Sequence, residues 1–293
     1  MGRTLVQLFT DGISIGIVYV LMASGFNLIM SVEKILFLPF AQFYMLGAYF
    51  AWYLMVPLKM NFAIALVVAT IGTGILGAIA YMMTFRWVQY KEGQFLTNLL
   101  IGVGWMLIIT QVALNLFGTE ARGIPTVFKG TLRLAGLNIS LEKAIVIVAG
   151  IAVLLALQVM LQRTRMGRSM RAVSFNSDVA ALQGVNSTRI FTFTMGFGCA
   201  LAGMAGALLA PVFAVTTQVG GFAFLVPLVV LLGGLGSMLG AILAGLLFGM
   251  ALSYGQYFIG GGQAQMAFFA IVAIMLILRP GGLLGKAMGD IPL

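Results

Sequence analysis

Charged residues divide the chain into long apolar runs. One lies between Asp11 and Glu33, a second between Lys34 and Lys59, and a third between Lys59 and Arg86. A fourth separates Glu92 from Glu120, and a fifth separates Lys143 from Arg163. From Arg189 to Arg279 no Asp, Glu, Lys or Arg interrupts the sequence. A helix needs about 20 mostly apolar residues to cross the hydrocarbon core of a bilayer, so each run predicts a membrane helix. Pro39 breaks the second run near its start, because proline lacks the N–H that a helix interior requires. The last stretch is punctuated at Pro211, Gly220–Gly221, Pro227, Gly233–Gly236 and Gly260–Gly262. That predicts helices near 190–213, 222–235, 238–258 and 264–279. The 222–235 segment is too short to span and reads as a half-helix or re-entrant piece, which is tolerated where protein or a cavity covers its backbone. The first run is of span length, is preceded by Asp11, and lacks a clear small-x-small cleavage site, so it reads as a retained helix. The pattern predicts an all-α polytopic transmembrane bundle of about eight or nine segments, one transmembrane domain over residues 1–293.

Composition agrees. Of 293 residues, 61% are hydrophobic and 8% charged, against roughly 45–50% and about 25% in a soluble domain. Sixteen bases and seven acids cannot cover the surface of a soluble protein of this length. There is no histidine, which excludes a His zinc site, a Ser-His-Asp triad and a His general base within the chain. Cys199 is the single cysteine, so no internal disulfide forms. No catalytic residue and no metal site is expected.

The basic residues predict the orientation, because Lys and Arg concentrate on the cytoplasmic side. The densest group is Arg163, Arg165, Arg168, Arg171 and Arg189, opposed by Asp178 alone, in a loop over 163–189. With that loop inside, Arg86, Lys91, Arg279 and Lys286 also fall inside, residues 120–143 form an external loop, and the N-terminus lies outside. This threading places ten basic residues inside and six outside. The net charge of +9 then reflects topology and an anionic leaflet. A nucleic-acid partner is not expected, since no basic stripe interleaves with aromatics.

Polar residues within the runs are few: Asn27, Gln42, Asn98, Gln111, Asn115 and Gln256. Buried amides must find partners, across helices or along a translocation path. Gln42, Tyr44, Asn98 and Gln111 are the path candidates, Gln42 foremost because it follows Pro39. The acids lie at or near predicted helix ends or in loops, which argues against a carrier driven through core carboxylates. Small residues recur at four-residue spacing at Gly12/Gly16, Ala202/Gly206, Gly236/Gly240 and Gly245/Gly249, which predicts close helix packing or a dimer seam. The tail Arg279-Pro280-Gly281-Gly282-Leu283-Leu284-Gly285-Lys286 fails as a phosphate-binding loop. The required glycine position holds Pro280, and Ala287 follows the lysine where Ser or Thr is needed. Within the basic loop, one amphipathic helix is expected from about Arg168 to Leu182, ended by Gly184.

At this loop the sequence resembles the ABC-transporter permeases of the branched-chain amino-acid uptake family, which includes urea and amide permeases. The resemblance runs through GRSMRAVSFNSDVAALQGVNSTRI (Gly167 to Ile190), ALAGMAGALLAP (Ala200 to Pro211), GGLGSMLGAILAGLLFG (Gly233 to Gly249) and RPGGLLGK (Arg279 to Lys286). DGISIGIVYVLMASGFNLI (Asp11 to Ile29) and FYMLGAY (Phe43 to Tyr49) extend it to the N-terminus. It implies an inner-membrane importer subunit of a bacterial cell. A second, related permease would complete the channel. Two ATP-binding subunits, which hold ATP and Mg²⁺, would dock on the coupling loops, and an external protein would deliver the solute. Gly167, Arg168, Arg171, Ala172, Asp178, Ala181 and Gly184 are the implied coupling-loop positions, and Gly236, Gly240, Gly245 and Gly249 the packing positions. Two departures stand out. Family members commonly carry Asn-Phe-Ala-His-Gly-Glu before the FYMLGAY-like segment, where this chain has Phe37-Leu38-Pro39-Phe40-Ala41-Gln42. Their Thr-Ile-Gly-Leu-Ser is here Leu100-Ile101-Gly102-Val103-Gly104. Both replace polar groups by apolar ones, which points from a branched-chain amino acid towards a related, more apolar or aromatic carboxylate or amide, or else leaves the partner permease to supply the missing polar groups. A stand-alone carrier or channel is the alternative reading; such a protein needs no ATPase-docking helix.

Overall fold

A computed structural model describes residues 2–88, 94–124, 130–134, 137–217, 225–279 and 281–284. Lys91, Lys129, Gly220–Gly221, Pro280 and the Gly285–Lys286 end of the tail, all named above, lie outside the described residues.

The chain forms α1 (Gly2–Glu33), α2 (Phe40–Met55), α3 (Phe62–Val88), α4 (Gln94–Phe117), α5 (Leu141–Arg163), α6 (Arg165–Phe175), α7 (Ser177–Leu182), α8 (Ser187–Leu209), α9 (Val226–Gly233), α10 (Met238–Phe258) and α11 (Gly261–Leu278). Among the described residues seven helices are long and apolar enough to cross a membrane. That is close to the eight or nine segments expected; α2 and α9 are too short to be counted among them. Pro39 caps α2 at φ −66°, after a non-helical turn. At 16 residues α2 is about 24 Å long, short of a full crossing, and from Phe40 to Tyr49 every residue is buried. It is an interior element covered by its neighbours. Pro227 stands in the first turn of the eight-residue half-helix α9, where its missing N–H costs nothing. The charge pattern did not announce one small feature. Strands β1 (Thr131–Leu134) and β2 (Leu137–Ser140) form an antiparallel hairpin, pairing Thr131 with Ser140 and Leu134 with Leu137.

Helices α1 and α8 form the centre. In α1 the most apolar window is 83% buried, against 17% in α4, α5 and α11. Close approach at the centre depends on absent side chains. A Cβ on Gly249 would lie 2.6 Å from the Gly12 carbonyl oxygen and closer still to the Gly16 backbone. Gly245 meets Val20 in the same way, so Gly12/Gly16 and Gly245/Gly249 mesh within one chain. Gly206 packs on the Tyr44 carbonyl. Gly236 differs from its expected packing role. Its φ is +81°, so it shapes the α9–α10 turn, and its N–H donates to Asn27 Oδ1 at 2.9 Å.

Contacts sort the connections into two ends of the bundle. At one end Lys143 pairs with Asp11 at 2.6 Å, Ser253 Oγ donates to the Leu8 carbonyl at 2.7 Å, and Arg122 and Val215 form an isolated antiparallel bridge. At the other lie the α1–α2 turn, α6 and α7, and the Gly236 turn. There the tail returns, the Leu283 N–H donating to the Leu232 carbonyl at 2.8 Å.

Candidate functional site

The loop between α5 and α8 is built from successive helix caps. Thr164 opens α6, its hydroxyl accepting from Gly167 N–H at 3.1 Å. Gly167 is required because any Cβ would collide with the carbonyls of Met160 and Leu161. Arg171 folds back and donates to the Leu161 carbonyl. The single helix expected over 168–182 is two. Asn176 is extended, at φ −156°, and its side chain accepts from Asp178 N–H at 2.9 Å and Val179 N–H at 3.1 Å, starting α7. An Asn that caps a new helix competes with continuation of the old one. Gly184, at φ +82°, ends α7. Val185 N–H reaches the Ala180 carbonyl at 3.1 Å and Gly184 N–H the Ala181 carbonyl at 3.0 Å, a Schellman closure. Asn186 then caps α8 through Arg189 N–H at 3.1 Å.

This loop buries Gly167, Met170, Val173 and Ala180 against the bundle. The opposite face is open. Phe175 is 84% exposed and Leu182 88%, with Arg168, Arg171, Ala172, Asp178, Val179 and Ala181 also exposed. Large exposed apolar side chains and exposed arginines on one loop are the chemistry that interaction surfaces carry.

The four path candidates do not converge. Gln42 is buried on the α2–α4 seam, its Nε2 3.5 Å from Thr110 Oγ1, at the long limit of a hydrogen bond. Asn98 is buried on α4, and its Oδ1 has no partner among the described residues. Gln111 is exposed and reaches Asn115 Oδ1 at 3.5 Å. Tyr44 lines a cavity of about 290 Å³, together with Tyr19, Met22, Thr216, Gln256 and Gln265. A second cavity of about 450 Å³ shares Ile15, Leu209, Phe213 and Gln256 with it and reaches the Asp11–Lys143 pair. Mostly apolar walls with a few polar groups suit a small amphipathic solute. Sequence reasoning missed Tyr19, Thr216 and Gln265, whose spacing carries no signal because they come from three separate elements.

Glu33 also departs from expectation. It stands at the end of α1 but is 5% exposed, and both carboxylate oxygens lack a partner among the described residues. Lys34 follows at φ +56°, turning the chain directly after α1. An uncompensated buried carboxylate is costly, and helix position alone did not reveal it.

Comparison with known proteins gives the same architecture. The chain is 26% identical to the high-affinity branched-chain amino acid transport system permease protein BraD of Pseudomonas aeruginosa, covering 96% of this chain and 95% of that protein. It is likewise 26% identical to the corresponding permease protein LivH of Escherichia coli, with the same coverage. Among solved structures, PsaBC from Streptococcus pneumoniae in complex with Fab superposes with a TM-score of 0.50 at 16% identity, over 92% of this chain and 91% of that one; this likeness concerns the fold. The sequence profile described as branched-chain amino acid transport system / permease component matches residues 8–278. Matched over nearly its whole length, this chain belongs to that family of transport permeases.

Proposed function

We propose that the chain is the membrane-spanning half of an ATP-driven importer that works with a second, related permease, two ATP-binding subunits and an external solute-binding protein. The observation that carries this is the capped α6–α7 loop, with Phe175 and Leu182 held outward on a rigid base. A protein that transported alone would have no use for that exposed apolar pair. ATP and Mg²⁺ are held by the partner subunits, and the loop transmits their closure to α5 and α8. The loop end faces the cytoplasm, so the C-terminus is cytoplasmic and the N-terminus external. The solute is a branched-chain amino acid or a more apolar carboxylate or amide, met by the Tyr19–Tyr44–Gln256 cavity from the external end. Gln42 acts in the α2–α4 seam rather than on the solute.

The test is uptake in vesicles containing the chain with its cognate partners. Phe175→Asp with Leu182→Asp is expected to abolish ATP-dependent uptake by weakening ATPase association, while membrane insertion is retained. Arg168→Glu is expected to lower uptake per ATP hydrolysed. Uptake by the chain alone, without any ATPase, would overturn the proposal in favour of a stand-alone carrier. Tight binding of leucine, isoleucine and valine, and of no apolar acid, by the cognate external protein would restrict the solute to the amino acids.

A further inference from the structure

A groove of about 820 Å³ runs between α3 and α8, apart from the loop face and the solute cavity. Its α3 wall includes five residues at four-residue spacing, Thr70, Gly74, Ala78, Met82 and Arg86. That row is about 24 Å long at 1.5 Å per residue, close to half of a bilayer roughly 40–45 Å thick with its headgroups. A π-helical turn at Tyr81–Phe85 adds a residue to the winding and keeps Arg86 in line with the row, where a regular α-helix would have drifted past it.

The two ends of the groove differ in chemistry. Along the membrane-embedded part, Gly74 and Gly196 pinch the helices together, a Cβ on Gly196 falling 2.9 Å from the Gly74 carbonyl oxygen. Phe193 and Phe197 stack at 5.8 Å with 14° between their planes and line the α8 side. The Thr70 and Thr192 hydroxyls donate to their own helices, at 2.7 Å to Leu66 and 2.8 Å to Thr188, so neither offers the furrow a free donor. At the loop end stand Arg86 and Arg189, both exposed and, among the described residues, in no ion pair. Among the described residues no carboxylate lines the groove. Asn186 beside them uses its carbonyl oxygen for the α8 cap, which leaves its NH₂ to donate. Trp87 is 69% exposed, its ring 5.9 Å from the Arg86 guanidinium, and such an indole marks the depth of the headgroups.

Two unpaired guanidiniums at headgroup depth, opening onto an apolar furrow one leaflet long, match a phosphate ester that carries an acyl chain. We propose that the α3–α8 groove binds an anionic phospholipid of the leaflet on the loop side, its phosphate on Arg86 and Arg189 and one acyl chain along Met82, Ala78 and Gly74. A free anion would leave the furrow unfilled. A zwitterionic lipid would bring a cation to two cations.

Native mass spectrometry of the full-length protein in neutral detergent, titrated with dioleoylphosphatidylglycerol or dioleoylphosphatidylcholine, tests this without reference to transport. The expected preference for phosphatidylglycerol is about tenfold. Arg86→Gln with Arg189→Gln should bring phosphatidylglycerol down to the phosphatidylcholine level. If that pair does not purify as a single species, Arg189→Gln alone should lose about threefold. Ile75→Trp, at a 54% exposed position beside the furrow, should weaken both lipids. Arg163→Gln with Arg165→Gln, basic residues outside the groove, should leave the preference intact. The proposal is overturned by an unchanged preference in the Arg86/Arg189 variants, by an equal loss in the Arg163/Arg165 variant, or by displacement of phosphatidylglycerol with millimolar inorganic phosphate. It is overturned equally by a lipid-independent dimer that Ile75→Trp dissociates, which would give the groove to a protein partner.

Discussion

Gly249 and Gly104 each sit inside an apolar helix, and they mark two regions built on different rules. Gly249 of α10 lies against the backbone of α1, where even a methyl group would overlap Gly16. Gly104 of α4 has nothing within 4 Å of where its Cβ would stand. The central helices are therefore held by backbone-to-backbone fit, and the outer ones present apolar side chains to lipid. Lipid is as apolar as leucine, so outer side chains gain little from protein contact, while the centre gains from close packing.

Substitutions can break this contrast in order of size. Gly249→Leu should cost at least about 4 kcal/mol, since no rotamer avoids the α1 backbone, and should leave no monodisperse protein in detergent. Glu33→Gln should act in the opposite direction. Removing an uncompensated buried charge should raise stability by about 1–3 kcal/mol, seen as a higher unfolding midpoint. A lower midpoint would show that the carboxylate is paired. Gly184→Ala places a side chain at φ +82° and should cost about 1–2 kcal/mol, confined to the loop; proteolysis there should accelerate while the bundle keeps its melting temperature. Gly104→Leu should change stability by no more than about 0.5 kcal/mol. Similar losses for Gly104→Leu and Gly249→Leu in one thermal assay would erase the distinction.

The helices were legible because charge is expensive in hydrocarbon: the gaps between Asp11 and Glu33 or Lys143 and Arg163 cannot be filled otherwise. Pro39 and Gly184 were legible because each acts on its own backbone. Asn176 carried a readable cap signal in Asn-Ser-Asp, yet the amphipathic pattern running across it suggested one helix. The meshing of Gly12 and Gly16 with Gly245 and Gly249 was legible as spacing, but which helix meets which is a matter of tertiary packing. The π turn at Tyr81–Phe85 and the burial of Glu33 left no mark, since the first changes no composition and the second depends on tertiary packing at the end of α1. The path residues scattered for a related reason. Polar side chains mark buried positions on each helix separately, and only the assembled bundle decides that Tyr44 faces Gln256 while Gln42 faces Thr110.

The capped loop has a mechanical consequence. Thr164, Asn176, Gly184 and Asn186 close each helix end in turn, and Arg171 ties α6 to the last turn of α5. With the ends fastened, a load applied at Phe175 has no slack joint in which to dissipate. Under the proposed function it would arrive at α5 and α8 as displacement, the loop serving as a crank whose throw is set by hydrogen bonds rather than by the pliancy of a surface loop.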